Sequence, residues 1–103
     1  MNINDLTLPL KGSCHCGSVK FEVNSKLKDL RRCNCSICSR KGFVMSTASS
    51  DELKIISGET YLNKYQWNTE IAEHYFCSKC GINTHHKRRS DPKQYGYNIA
   101  CIE

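Results

Sequence analysis

GSCHCGSVKFEV, residues Gly12 to Val23, places two cysteines one residue apart shortly before a run in which apolar and polar side chains alternate. Val19, Phe21 and Val23 recur at every second position, which is the period of a strand with one buried face. The glycine after the second cysteine permits a positive-φ turn that directs backbone N–H groups at sulfur, as metal-binding thiolates require. This stretch predicts a β domain in which a metal ion holds the end of a strand.

Further strands are predicted along the rest of the chain. VMSTASS and ELKIISG indicate two short strands joined by a turn, and YLNKYQWNTEIAEHYFC contains two β-rich runs interrupted at Asn68-Thr69, which favours a hairpin. The tail YGYNIACIE, after the turn signal Asp91-Pro92, predicts a last strand. No run of a dozen residues has a 3.6-residue apolar period. We therefore predict a mainly β fold, with residues 1–103 forming a single domain.

The length and composition limit the function classes. A chain of 103 residues can bury one modest core. No stretch approaches the roughly 20 apolar residues of a membrane span, and the start, MNINDLTLPLKGSC, lacks the regions of a signal peptide. We expect a soluble cytoplasmic protein that does not bind membranes. In that compartment the eight cysteines are kept reduced, which favours metal ligation over disulfides.

The cysteines divide into clusters. Seven of the eight lie in three groups: Cys14 and Cys16; Cys33, Cys35 and Cys38; Cys77 and Cys80. Glycine follows the first and last groups, at Gly17 and Gly81, whereas Ser39 follows the middle one. Pairing the two glycine-backed groups gives a closed four-cysteine site and leaves three cysteines, whereas any other pairing of whole groups gives five ligands. The four-plus-three division suits tetrahedral zinc, and an iron–sulfur cluster is the metal alternative.

The middle group lacks a fourth ligand. One interpretation is a second structural zinc completed by a remote side chain, for which the sequence offers Cys101, His15, His74, His85 and His86. The other leaves the fourth position open for water or a substrate thiol, as catalytic zinc sites do. The spacing alone does not choose between them.

These clusters resemble a known family. GSCHCGSVKFEV, CNCSICSRKG and FCSKCGINTHHKRRSDPKQYGYNIACIE together look like the glutathione-dependent formaldehyde-activating enzymes, a family that also includes centromere protein V. The resemblance runs from Gly12 to Glu103 and implies an Mss4-like fold of β-sheets stapled by zinc. Members often continue beyond the position that matches Glu103, so the chain looks short at its C-terminus.

The resemblance also implies site residues and a reaction. It implies a structural zinc at Cys14, Cys16, Cys77 and Cys80, and a second, catalytic zinc at Cys33, Cys35 and Cys38. The implied activity is that of a carbon–sulfur lyase of the S-(hydroxymethyl)glutathione synthase type, with glutathione or another small thiol and an aldehyde as partners. No oligomeric state follows from the sequence.

Cationic residues near the clusters are candidate substrate contacts. They are Arg40, Lys41, His86, Arg88 and Arg89. Arginine can clamp the two carboxylates of glutathione, although each of these residues also suits a solvated strand edge. The formal charge of +5 falls to +2 once seven thiolates (−7) and two zinc ions (+4) are counted, so net charge does not argue for nucleic acid. The alternative function is a non-catalytic zinc module that binds protein or nucleic acid.

Overall fold

Two antiparallel sheets form the framework of the chain, which is seen in a computed structural model that describes residues 7–32, 36–66, 72–88 and 93–103. The smaller sheet has the strand order β1-β2-β4, and the larger one has the order β3-β8-β7-β6-β5. Within the described residues the elements are β1 (Leu10–Ser13), β2 (Lys20–Val23), α1 (Ser36–Lys41), β3 (Met45–Ser49), β4 (Leu53–Ser57), β5 (Leu62–Tyr65), β6 (Glu73–Cys77), β7 (Asn83–Lys87) and β8 (Gln94–Asn98). Short 3-10 turns cover Glu59–Tyr61 and Ile99–Cys101. The prediction of a mainly β fold is confirmed.

The strands that alternation predicted are present. β2 carries Phe21 and Val23 as buried residues, and β5 pairs with β6 in antiparallel register, as expected for a hairpin. The predicted turn of that hairpin, Asn68-Thr69, lies outside the described residues, as does Asp91-Pro92. β3 and β4 are joined by a turn but belong to different sheets, because β3 pairs with β8 and β4 pairs with β2.

Three elements were not predicted from the sequence: β1, β7 and α1. β7 is the strand NTHHK. Its polar composition is typical of an exposed segment, but Thr84, His85 and His86 are all buried in the larger sheet. α1 has only six residues, too few to show an apolar period, and a helix of that length depends on tertiary contacts for its stability.

The sheets pack face to face around one main core. The ring of Phe21 on β2 lies 6.5 Å from that of Tyr97 on β8 and 6.4 Å from that of His85 on β7, measured between centroids. The buried members of this core are Leu10, Phe21, Val23, Ala48, Leu53, Tyr97 and Cys101. A second, smaller cluster of Cys14, Val19 and Cys77 lies at one end of the sheets.

Candidate metal centre and the adjoining sheet face

Four cysteines meet where the two sheets come together. Cys14 follows β1 and Cys16 lies in the turn before β2, while Cys77 ends β6 and Cys80 lies in the turn before β7. All four sulfur atoms lie within 4.8 Å of one another. The arrangement brings together the two glycine-backed pairs that the sequence analysis combined.

The sulfur positions suit one tetrahedral ion. The Sγ atoms of Cys14 and Cys16 are 3.6 Å apart, and those of Cys16 and Cys77 are 3.8 Å apart. Four thiolates at the usual zinc–sulfur distance of about 2.3 Å form a tetrahedron with edges of about 3.8 Å. The residues present therefore fit a single zinc ion with four protein ligands.

The two cysteine turns have the same backbone construction. Gly17 has a φ of 80° and Gly81 a φ of 79°, and each donates its N–H to the carbonyl of the first cysteine of its pair. Backbone N–H groups also approach sulfur: that of Val19 lies 3.3 Å from the Sγ of Cys14, and that of Lys79 lies 3.4 Å from the Sγ of Cys77. The expected role of glycine in turning N–H groups toward sulfur agrees with this geometry.

Hydrogen bonding favours thiolates at the exposed side of the cluster. The hydroxyl and backbone N–H of Ser18 lower the pKa of Cys16 to about 6. Backbone donors at Cys16 and Ile82 lower the pKa of Cys80, whereas burial raises the pKa of Cys77. A cation at the centre would compensate the burial of negative sulfur, so the cluster is chemically suited to metal binding.

The eighth cysteine lies near this cluster without joining it. Cys101 is buried, and its Sγ contacts the carbonyl oxygen of Asn83 at 3.7 Å. Burial, followed by the charges of Cys14 and Cys80, raises the pKa of Cys101 to about 11. A thiol held protonated in this way is a packing group.

The middle cysteine group is only partly seen. Cys33 and Cys35 lie outside the described residues, and so does the side chain of Cys38, although its backbone belongs to α1. The segments on both sides are anchored. Arg31 exchanges backbone hydrogen bonds of 3.0 and 2.9 Å with Met45 of β3, and the Nζ of Lys41 at the end of α1 lies 2.9 Å from the Nδ1 of His74.

The predicted substrate cations occupy different environments. Arg40 is exposed on α1, and Lys41 contacts His74 and lies over the ring of Phe43 at 5.0 Å. Arg88 donates to the Oε1 of Gln94 at 2.7 Å. Arg89 lies outside the described residues.

His86 is buried, so the solvated strand edge given as the alternative to a substrate contact does not describe it. Its ring stacks on His74 with the centroids 5.4 Å apart. His74, which the sequence offered as a remote zinc ligand, has Lys41 as a partner of its Nδ1. No local signal in the sequence links Lys41 with His74, or His74 with His86, because both contacts depend on how the larger sheet assembles.

Comparison with known proteins identifies the family. The model of the family described as "Glutathione-dependent formaldehyde-activating enzyme" matches residues 9–103. The chain belongs to this family. A curated Halomonas elongata protein named "Putative glutathione-dependent formaldehyde-activating enzyme" is 34% identical over 80 residues, which cover 69% of this chain and 51% of that protein. The matched segment thus spans about half the length of that relative.

A solved structure supports the fold of this family member. A crystal structure of a Rhodobacter sphaeroides protein, determined as a structural genomics target, is 47% identical and superposes with a TM-score of 0.88. The similarity covers 91% of this chain and 88% of that one. Among the residues that the structure describes, no helix has the length and apolar character to cross a membrane.

Proposed function

We propose that this chain is a zinc-dependent enzyme of the carbon–sulfur lyase type, acting in the reducing cytoplasm. It promotes the addition of a thiol such as glutathione to formaldehyde or a related aldehyde, giving an S-hydroxymethyl adduct. The observation that carries this proposal is the family match over residues 9–103. The four-cysteine cluster supports it, because its geometry suits the zinc that such a domain would need.

The first zinc is structural and is held by Cys14, Cys16, Cys77 and Cys80. With four protein ligands no position is left for a substrate, and these cysteines connect the ends of both sheets. The sulfur–sulfur distances of 3.6 and 3.8 Å match one central ion, whereas an iron–sulfur cluster would hold the thiolates farther apart. Binding at this position stabilises the fold rather than the reaction.

The second zinc is held by Cys33, Cys35 and Cys38, which we propose as the catalytic residues. Three protein ligands leave one position open, and an ion there supplies the positive charge that lowers the pKa of a substrate thiol. Two residues that flank these cysteines are anchored to the larger sheet: Arg31 pairs with Met45 of β3, and Lys41 contacts His74 of β6.

The candidate substrate contacts differ in their place on the fold. Arg40 is exposed and Arg88 is half-buried, and we assign these two, with Arg89, to the carboxylates of glutathione. Lys41, half-buried like Arg88, contacts His74 of the larger sheet, and His86 is buried within that sheet. Their position suits contact with atoms close to the reaction.

Exchange spectroscopy tests the activity directly. Glutathione and carbon-13-labelled formaldehyde interconvert with their adduct, and two-dimensional exchange NMR measures the rate with and without the protein. We expect the wild-type chain to raise this rate well above the spontaneous one. Cys35→Ala should abolish the effect, and Cys101→Ser is the matched control because Cys101 lies outside both proposed sites and should retain the rate.

One outcome of the exchange experiment would contradict the proposed reaction. In that outcome the wild-type protein is folded and contains two zinc ions, but the exchange rate stays at its spontaneous value. Binding of nucleic acid that weakens steeply as salt rises would then support the zinc-module alternative.

A further inference from the structure

One transverse row of residues crosses the larger sheet beneath the two anchored segments. Successive register pairs join Thr47 on β3 to Gly96 on β8, Gly96 to His86 on β7, His86 to His74 on β6, and His74 to Tyr65 on β5. Residues directly opposite each other on neighbouring strands share a face of the sheet. We call this set the histidine row.

The ring of His86 has a fixed place in this row. A Cβ atom built on Gly96 would lie 2.5 Å from the Cε1 of His86 and 2.9 Å from its Nε2. The imidazole therefore occupies the space that any side chain at Gly96 would need. His74 stacks on its other side with an interplanar angle of 24°. Contacts on both sides fix the orientation of the ring.

One nitrogen of this ring has no hydrogen-bond partner among the described residues. His86 is 7% exposed, and its buried Nδ1 makes no hydrogen bond with any part of the chain that the structure describes. His85, the next residue, faces the core and has a partner for its Nδ1 in the hydroxyl of Thr84, at 2.9 Å. Buried polar atoms are usually satisfied, so an unpartnered one in an ordered site indicates a position for a ligand atom.

The surroundings of His86 are positive. Burial, followed by the charge of Lys41, lowers the pKa of His86 to about 3, and Arg31 adds to this effect. Lys41 contacts His74, and the guanidinium of Arg31 donates to the hydroxyl of Thr47, so both cations border the histidine row. At neutral pH the ring is therefore uncharged in a region that favours negative oxygen.

The row also lies next to the proposed reaction centre. Arg31 precedes Cys33 by two residues, and Lys41 follows Cys38 by three. Both flanking residues contact this face, so the proposed function puts the reaction beside it.

From these observations we propose that the Nδ1–H of His86 donates a hydrogen bond to the aldehyde oxygen, which makes His86 a catalytic residue that touches the substrate. This assignment rests on the proposed function. The thiolate sulfur forms a bond to the carbonyl carbon, the C=O π electrons move to oxygen, and the oxygen then takes a proton from water. The thiol has released one proton to water, so the atoms and charges balance and His86 stays neutral throughout.

The burial of His86 favours the aldehyde oxygen over the carboxylates of a thiol substrate. A carboxylate of glutathione is attached to a flexible peptide and is best bound by exposed arginine, whereas formaldehyde is small enough to reach a nearly enclosed nitrogen. A donor aimed at the oxygen on which negative charge develops accelerates addition to a carbonyl group.

Nitrogen-15 NMR with formate as the probe tests the assignment without any reaction. Formate is a stable oxyanion of similar size to formaldehyde. The assignment requires the Nδ1–H tautomer of His86, and formate at neutral pH should shift the His86 nitrogen signals saturably. Chloride at matched ionic strength should not, and the signals of His85 on the opposite face should stay unchanged. Absence of a His86 shift, or an unprotonated Nδ1, would overturn the assignment.

Variants test the same assignment through kinetics. His86→Leu removes the donor and should lower kcat for adduct formation by roughly a hundredfold to a thousandfold, with little change in the KM for the thiol. His86→Gln retains an N–H donor and should recover a large part of that loss. His85→Gln is the matched control, because it changes a buried histidine on the other face and should leave kcat per folded molecule unchanged. Equal kcat in the wild type and His86→Leu would contradict the assignment.

The two experiments separate this inference from the proposed function. A saturable formate shift in a protein that lacks activity with glutathione and formaldehyde would refute the reaction but support His86 as an oxyanion donor. An active protein in which formate leaves His86 unshifted would support the reaction and overturn the inference.

Discussion

Single cysteines differ in role according to what surrounds their sulfur atoms. Counting ligands in the sequence assigned Cys14, Cys16, Cys77 and Cys80 to one site, and the structure places their sulfurs within 4.8 Å. The count grouped these cysteines because a tetrahedral ion takes four ligands, and the binding of zinc by them stays a prediction. It could not place Cys101, since the burial of one thiol depends on contacts far along the chain.

Serine substitutions should separate the two kinds of cysteine. Cys101→Ser puts a hydroxyl into a buried position, so it should lower the free energy of unfolding by about 1–3 kcal/mol and leave the zinc content unchanged. Cys80→Ser removes a ligand of the four-cysteine cluster and should cause loss of zinc together with a larger loss of stability. Thermal denaturation and a metal assay on the same samples measure both effects. Loss of zinc from Cys101→Ser would mean that its thiol is a ligand after all.

At the level of elements, local patterns identified strands but not their partners. β2 was predicted from its alternation, whereas β7 was missed because a buried histidine looks like a surface residue in a sequence. Nothing local indicates that β3 and β4, though joined by a turn, belong to different sheets. Nor does a six-residue helix such as α1 leave a periodic signal. The histidine row depends on pairing across five strands, which is why the sequence could not show it.

The turn after β4 offers a test of how closely the elements pack. Gly58 has a φ of 81°, and a Cβ there would lie 1.7 Å from the carbonyl oxygen of Ser18. Gly42, with a φ of 70°, has nothing within 4 Å of that position. Both alanine variants should incur the strain of a positive φ, about 1–2 kcal/mol, and Gly58→Ala should lose considerably more because backbone must move. Urea denaturation measures both variants, and equal losses would contradict the close approach of Gly58 to Ser18.

The whole molecule buries three histidines in a small mainly β domain. Burial, and then the charge of Lys41, lowers the pKa values of His74 and His85 to about 4, and the same causes lower that of His86 to about 3. Because a histidine in the unfolded chain titrates near pH 6.5, the unfolded state binds more protons between about pH 6.5 and pH 4. The free energy of unfolding should therefore be insensitive to these groups above about pH 7 and should decrease as pH falls through that window.

This pH dependence can be attributed to single residues. Each histidine contributes up to about 1.4 kcal/mol per pH unit once its unfolded form is protonated. Urea midpoints at pH 7.5, 6.5 and 5.5, measured for the wild type and for His85→Gln at constant zinc, give the two slopes. The variant should have a shallower slope by about one proton. Identical slopes would show that His85 is protonated to the same extent in the folded and unfolded states.

The central claim is that the cysteines divide into a closed site of four and an open site of three that accepts a thiol. Native mass spectrometry of anaerobically purified protein, with and without glutathione, counts zinc and thiol on the same molecule. We expect two zinc ions and one glutathione on the wild type, and one zinc ion without glutathione on Cys35→Ala. A wild type that carries two zinc ions and binds no glutathione would contradict the claim, because the fourth ligand of the CNCSIC segment would then come from the protein itself.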